Sequence, residues 1–114
     1  MIATELLKGS LRSIVLKLLA ENKRMYGYEI TQRVEELTQG KIKLTYGALY
    51  PILHKLETEG AVITDTETVN NRTRVYYKLT AAGTVTAQEK VNELEEFIQV
   101  IGLLLNPNIS LKPC

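Results

Sequence analysis

One segment of the sequence carries side chains that could form hydrogen bonds to a nucleic acid. It begins at Thr45, whose hydroxyl can accept a hydrogen bond from the first turn of a helix, and Gly60 is a natural helix end. The outer face of this helix combines small residues, which let a helix approach base edges, with groups that can bond to phosphates or bases. The residues that this pattern predicts to contact DNA are Thr45, Tyr46, Gly47, Tyr50, Pro51 and His54.

The same aromatic residues are also compatible with ordinary packing. At a spacing of i, i+4 and i+8, Tyr46, Tyr50 and His54 could form a packed helix edge, and His54 could simply be solvated. A helical wheel places Tyr46 near the apolar side, where we expect it to be half-buried, and Tyr50 at the margin. The segment after the helix favours contact with DNA.

That segment is predicted to be a β-hairpin with a basic tip. β-branched residues are frequent from 61 to 68, and Asn70-Asn71 tolerates the left-handed backbone of a turn. Alternation in the second strand predicts two faces. The predicted packing face is Val75, Tyr77 and Leu79, and the predicted wet face is Arg74, Tyr76 and Lys78.

The hairpin tip is predicted to touch the DNA backbone or the minor groove through Asn71, Arg72 and Arg74. For each phosphate that a protein cation neutralises, log K for DNA binding falls by about 0.9 when the salt concentration rises tenfold. Lys43, in the link before the helix, is a further candidate. The alternative is that the charged side chains of the hairpin tip only face solvent, as they often do in proteins.

The elements that must position these residues follow from hydrophobic spacing and caps. One helix is predicted from about residue 4 to 21, and a second starts at Gly27, as its N-cap, and ends before Gly40. A last helix runs from the Thr80 cap to about Leu105, with Pro107 marking its end. The predicted fold is mainly α (α+β): a winged helix-turn-helix over 1–80, a C-terminal dimerisation helix over 81–106, and a tail over 107–114.

The last helix carries an apolar heptad seam. Its spacing of 4-3-4-3-4 predicts pairing with a second chain, in addition to packing on the first helix of its own chain. The residues assigned to this homodimer interface are Leu6, Ala87, Val91, Leu94, Ile98, Ile101 and Leu105. Phe97, just off the seam, is either interface core or a contact for a small, planar aromatic effector.

Composition excludes several other classes of protein. With 114 residues, 45% apolar and 24% charged, the chain has the composition of one ordinary globular domain. We expect no catalytic site, metal or cofactor, because the single His and the single Cys form no ligand cluster and no Gly-rich phosphate loop occurs. No apolar run is long enough to span a membrane, and we expect a cytoplasmic protein. Residues 1–80 hold twelve Lys/Arg and nine Asp/Glu, and residues 81–114 hold two and four.

Three motifs resemble the PadR family of bacterial transcriptional regulators: 26–30 (Tyr-Gly-Tyr-Glu-Ile), 47–51 (Gly-Ala-Leu-Tyr-Pro) and 74–80 (Arg-Val-Tyr-Tyr-Lys-Leu-Thr), followed by Gly83. The single last helix is similar to the compact subgroup, whose members dimerise through it and in some cases bind planar drugs at the dimer centre. The resemblance implies a winged-helix dimer that represses promoters and is released by a small-molecule or phenolic signal. It implies that Thr45, Gly47 and Tyr50 contact DNA and that the wing from Arg72 to Arg74 contacts the DNA backbone.

The sequence departs from the family pattern at two points. Ala48 stands where many members have a hydroxyl residue, and the last helix lacks the Trp of the drug-binding members, which Phe97 replaces only in part. Two alternatives to a DNA-binding repressor therefore remain open. One is a winged-helix protein-interaction adaptor that does not bind DNA, and the other is a regulator whose main role is sensing planar drugs.

Overall fold

The computed structural model of the protein describes residues 4–106. The helices are α1 (Thr4–Leu7), α2 (Leu11–Glu21), α3 (Gly27–Leu37), α4 (Tyr46–Thr58) and α5 (Ala81–Leu105), and the strands are β1 (Met25–Tyr26), β2 (Val62–Val69) and β3 (Arg72–Leu79). The strands form one antiparallel sheet in the order β1-β3-β2. The predicted fold class, a mainly helical winged helix with a long C-terminal helix, is confirmed.

The prediction of one continuous first helix is wrong. The chain breaks after Leu7, and α2 begins at Leu11. Both the amide and the hydroxyl of Ser10 donate to the Leu7 carbonyl, at 2.9 and 3.1 Å. A serine that bonds to nearby backbone offers the chain an alternative to the helix, and the adjacent Gly9 lowers helix propensity. These two residues explain the break.

Strand β1 and the start of α3 also differ from the prediction. Met25 and Tyr26 pair with Tyr77 and Tyr76, in a strand too short to give an alternating pattern. Gly27 is the first residue of α3 rather than its N-cap, and the preceding Tyr26 amide donates to the Glu29 carboxylate at 3.1 Å. The helix ends at Leu37, before Gly40, as predicted.

The core lies between α2, α3, α4 and the sheet. Burial of apolar surface provides the main driving force for this arrangement. Among the predicted inward residues of α4, Leu49, Leu53 and Leu56 are buried and Ile52 is half-buried. The fully buried side chains are Val15, Leu16, Ile30, Leu49, Leu53, Leu56 and Val62.

The hairpin forms as predicted, but the burial of two β3 side chains differs from the prediction. Asn70 and Asn71 form the turn with φ values of 50° and 62°, as a two-residue hairpin loop requires. Tyr76, predicted to face water, is buried, whereas Val75, predicted to pack, is 38% exposed. Tyr76 is buried because the Tyr26 ring of β1 packs edge-on against it, with the two ring centroids 5.3 Å apart.

Helix α5 starts at the predicted cap, where the Thr80 hydroxyl accepts a hydrogen bond from the Gly83 amide at 3.0 Å. Its first half packs along α2, and Ala87 is buried in the core of its own chain, so packing within one chain explains that residue. Most large apolar side chains of its second half are exposed. The predicted tail, with Pro107, lies outside the described residues. No helix among those described is long and apolar enough to cross a membrane.

Candidate nucleic-acid interface

The start of α4 presents an open surface. The Thr45 hydroxyl accepts a hydrogen bond from the Ala48 amide at 3.2 Å, which confirms the predicted cap. Gly47, the second residue of the helix, is exposed, and among the described residues the side-chain atom near the place of a Cβ atom is the Thr45 hydroxyl oxygen at 3.9 Å. Pro51 and His54 are exposed on the same helix, which continues through Pro51. Another molecule can therefore approach the helix backbone closely at Gly47.

The three aromatic residues of α4 form a continuous row of rings. Ring centroids are 5.7 Å apart for Tyr46 and Tyr50 and 6.2 Å apart for Tyr50 and His54. Tyr46 is 49% exposed, whereas Tyr50 is half-buried. The Tyr50 ring lies against Gly27 so closely that a Cβ atom there would be 2.9 Å from its Cζ. Tyr50 thus joins α4 to the start of α3, a packing role in addition to the predicted contact.

Helix α4 and the hairpin share one cleft of about 380 Å³. Tyr50 and His54 line it from α4, and Thr73 and Arg74 line it from β3. The structure therefore brings two of the predicted helix contacts together with a predicted hairpin contact. The complete lining is Tyr26, Gly27, Tyr50, His54, Thr73, Arg74, Val75 and Tyr77.

The predicted DNA contacts of the hairpin differ in their surroundings. Asn71 and Arg72 are exposed at the tip. Arg74 is half-buried, with its guanidinium 4.6 Å from the centroid of the Tyr26 ring, as in a cation–π contact. A hydrogen bond with Tyr76 raises the pKa of Arg74 above its usual value. Arg74 therefore keeps a positive charge in the cleft.

Lys43 lies outside this cleft. Its ammonium is 3.6 Å from a carboxylate oxygen of Glu35, and both side chains are well exposed. An exposed pair of this kind is weak and is screened by salt. The pair nevertheless lowers the positive potential that Lys43 could offer to DNA.

Sequence reasoning missed Arg24. Its guanidinium bonds to Asp65 at 2.9 Å and to Glu67, and it lies 3.8 Å from the centroid of the Tyr76 ring. It thereby compensates two acids of β2 that would otherwise repel DNA from the hairpin. Asp65 and Glu67, at alternate positions on one face of a strand, indicated that a nearby cation was needed. The sequence could not identify Arg24 as that cation, because it lies 41 residues from Asp65.

A second concavity, an apolar groove of about 430 Å³, runs between α2, α3 and α5. Its lining includes the seam residues Val91, Leu94 and Ile98. Of the other predicted interface residues, Leu6 and Leu105 are 77% and 81% exposed. Within the described range of the chain, no three His, Cys, Asp or Glu residues cluster as metal ligands would.

Comparison with known proteins places this site in a family. The sequence profile described as "Transcriptional regulator PadR-like family" matches residues 15–89, from α2 into α5, and includes the whole cleft. The chain belongs to the PadR-like family. It is a transcriptional regulator and not an enzyme.

Individual PadR-like relatives and solved structures agree with this assignment. The chain is 31% identical over 97 residues to the transcriptional regulator Rv3488 of Mycobacterium tuberculosis, covering 85% of this chain and 87% of that protein. A transcriptional regulator from Clostridium thermocellum has a similar structure, with a TM-score of 0.75 at 27% identity, covering 90% and 96% of the two chains. A PadR family regulator from Eggerthella lenta gives a TM-score of 0.68 at 29% identity, covering 91% and 85%.

Proposed function

We propose that this PadR-like chain is a cytoplasmic, homodimeric repressor that binds double-stranded promoter DNA and is released by a small-molecule or phenolic signal. The observation that carries DNA binding is the cleft shared by α4 and β3, which places His54 beside Thr73 and Arg74. A helix with an open Gly47 would enter the major groove, and the hairpin would follow the phosphate backbone.

The experiment is a gel shift with the DNA upstream of the chain's own gene, repeated over a range of salt concentrations. Arg72→Ala removes an exposed cation from the hairpin tip, so we expect weaker binding and a salt slope smaller by about one. The matched control is Arg33→Ala, which removes an equally charged residue beside the α2–α3–α5 groove. We expect this control to bind like the parent.

Tyr50→Phe is a sharper companion variant than Tyr50→Ala, because it keeps the ring beside Gly27 and removes only the hydroxyl, which is the Tyr50 atom nearest to the place of a Cβ atom at Gly27. Weaker binding by Tyr50→Phe at an unchanged unfolding free energy would assign a DNA contact to that hydroxyl. Absence of any shift at every ionic strength would contradict the proposal and favour the adaptor. Equal effects of Arg72→Ala and Arg33→Ala on DNA binding would show that the hairpin tip is not part of the DNA interface.

The proposed dimer rests on the second half of α5. Apolar side chains cover most of this part of the helix apart from the face of Glu95, Glu96 and Gln99, and Phe97, Ile98, Leu104 and Leu105 are 60%, 56%, 74% and 81% exposed. A helix face that is apolar over so wide an arc is normally buried. A second copy would cover it by contacting the seam, for which the proposed residues are Leu6, Val91, Leu94, Ile98, Ile101 and Leu105.

Phe97 supports a second candidate function, the sensing of a planar aromatic effector. Its ring is 60% exposed beside the proposed seam, where it could stack on a flat ligand. The chain has six Tyr and no Trp, so tyrosine fluorescence reports on binding. We expect a planar ligand to quench it in the parent and not in Phe97→Ala. Equal quenching in the parent and in Phe97→Ala would show that Phe97 does not contact the ligand.

A further inference from the structure

An ion pair joins the C-terminal end of α4 to α2. The Arg12 guanidinium donates from Nη1 to Glu59 Oε1 at 2.9 Å and from Nη2 to Oε2. Two parallel bonds of this kind fix direction as well as distance. The two side chains are only 30% and 35% exposed, and Arg12 Nε is buried with no partner among the described residues. The two bonds make this geometry more restrictive than that of a pair with one contact, such as Arg33 with Glu36.

Glu59 stands where a helix ordinarily disfavours an acid. It is the C-cap of α4, at the negative end of the helix dipole. Arg12 compensates both the carboxylate and the dipole, and its hydrogen bond is the main reason that the pKa of Glu59 lies below its usual value. The unfavourable position of this acid is thus explained by its partner on α2.

The same end of α4 also contacts α5. The Ala61 carbonyl, two residues after Glu59, accepts a hydrogen bond from the Thr80 amide at 3.0 Å. Gly83 in the first turn of α5 lies against the Ala61 backbone, where a Cβ atom would be 2.8 Å from the carbonyl carbon. Since α5 packs along α2, the end of α4 is attached to both helices of one packed pair.

We propose that Arg12 and Glu59 are positioning residues that set the orientation of α4 relative to the α2–α5 pair. They would thereby set the separation of the two α4 helices in the homodimer. This inference rests on the proposed function, because α5 carries the proposed dimer contact and α4 the proposed DNA contact. A change in the angle of α4 on its own chain then moves the two reading surfaces relative to each other.

Half-site spacing is the readout that a merely stabilising ion pair would not change. A dimer reads half-sites at a fixed separation, and one inserted base pair shifts and rotates one half-site relative to the other. We define spacing selectivity as the ratio of Kd for the operator with one inserted base pair to Kd for the parent operator. The operator is the DNA fragment enriched by the purified parent protein.

Glu59→Gln and Arg12→Lys each leave at most part of the two-bond geometry. We expect the spacing selectivity of both variants to fall by roughly threefold or more. The matched control is Glu36→Gln, which removes the same charge from an exposed pair with Arg33 inside α3. The control should keep the spacing selectivity of the parent. The double variant Arg12→Glu with Glu59→Arg, which reverses the pair, should recover part of the selectivity that the single variants lose.

A distance measurement tests the same inference without DNA. Spin labels on Thr58→Cys, in a Cys114→Ser background, report the separation of the two α4 helices in the dimer. We expect a narrow distribution in the parent and a broader one with Glu59→Gln. Unchanged spacing selectivity overturns the inference, and where the parent binds no DNA an unchanged distance distribution overturns it.

The two proposals can fail separately. If the parent dimer binds no DNA, the proposed function fails and the distance distribution alone decides the positioning role. If the parent binds DNA with a spacing selectivity that Glu59→Gln and Arg12→Lys keep, the function stands and the positioning role is wrong. A monomeric parent chain overturns both the dimeric function and the inference.

Discussion

At the residue scale, two glycines show how one residue type serves packing in one place and recognition in another. Gly83 lies against the backbone of Ala61, so a methyl group there would collide with atoms that cannot move independently. Gly47 faces open space at the exposed front of α4. Added side-chain volume should therefore affect folding at the first site and binding at the second.

We expect Gly47→Ala to unfold at the same urea concentration as the parent or to be more stable by up to about 1 kcal/mol, because Ala favours a helix. Its DNA affinity should nevertheless fall, since the methyl group keeps the helix away from the bases. Gly83→Ala should lose about 1–3 kcal/mol of unfolding free energy. Urea titrations and gel shifts measure both effects, and an unchanged DNA affinity of Gly47→Ala would place the contact elsewhere.

At the element scale, the ends of α4 are fixed by different means. Its start uses the Thr45 cap and the packing of Tyr50 on Gly27, and its end uses the charge pair of Glu59 with Arg12. Packing depends little on pH, whereas the charge pair requires an ionised carboxylate. Acid should therefore weaken the C-terminal attachment first.

The pH dependence of stability follows from the lowered pKa of Glu59. Because the folded state binds the proton less tightly than the unfolded state, the contribution of Glu59 is complete above the unfolded pKa of about 4.3. It is lost as the pH falls through the lower folded pKa. We expect the unfolding free energy of the parent to exceed that of Glu59→Gln at pH 7 and to approach it in strong acid. A difference that is independent of pH would show that the pair contributes no charge-dependent stability.

At the scale of the whole molecule, α5 extends beyond the body that covers it. Its 25 residues span about 37 Å, and the molecule measures 55 × 30 × 20 Å. The first half of α5 packs on α2, and most of the large apolar side chains of the second half are exposed. The proposed association with a second copy would remove that surface from water.

Ile98→Glu should convert the dimer to a monomer, because it places a charge in the proposed seam. Val100→Glu is the matched control, since Val100 is an exposed apolar residue on the opposite side of the same helix by the 100° rule. We expect sedimentation velocity to show a monomer for the first variant and a dimer for the second. Equal behaviour of the two would exclude the heptad seam as the dimer contact.

The sequence by itself determined the elements with strong local signals. The Thr45 and Thr80 caps, the Asn70-Asn71 turn and the inward face of α4 follow from interactions within a few residues, and each was predicted where the structure has it. The three motifs also indicated the PadR family before any geometry was known. Local chemistry and motif spacing thus sufficed for the fold class and the family.

The tertiary structure decided what depends on residues distant in the chain. Tyr76 is buried because β1 pairs beside it, and Arg24 compensates acids 41 and 43 residues away. Tyr50 contacts Gly27, and Arg12 meets Glu59 across 47 residues. No periodicity within one element carries such information, because these contacts exist only once the helices and the sheet have packed. The candidate DNA surface was therefore predictable as a list of residues, but the cleft that unites some of them was not.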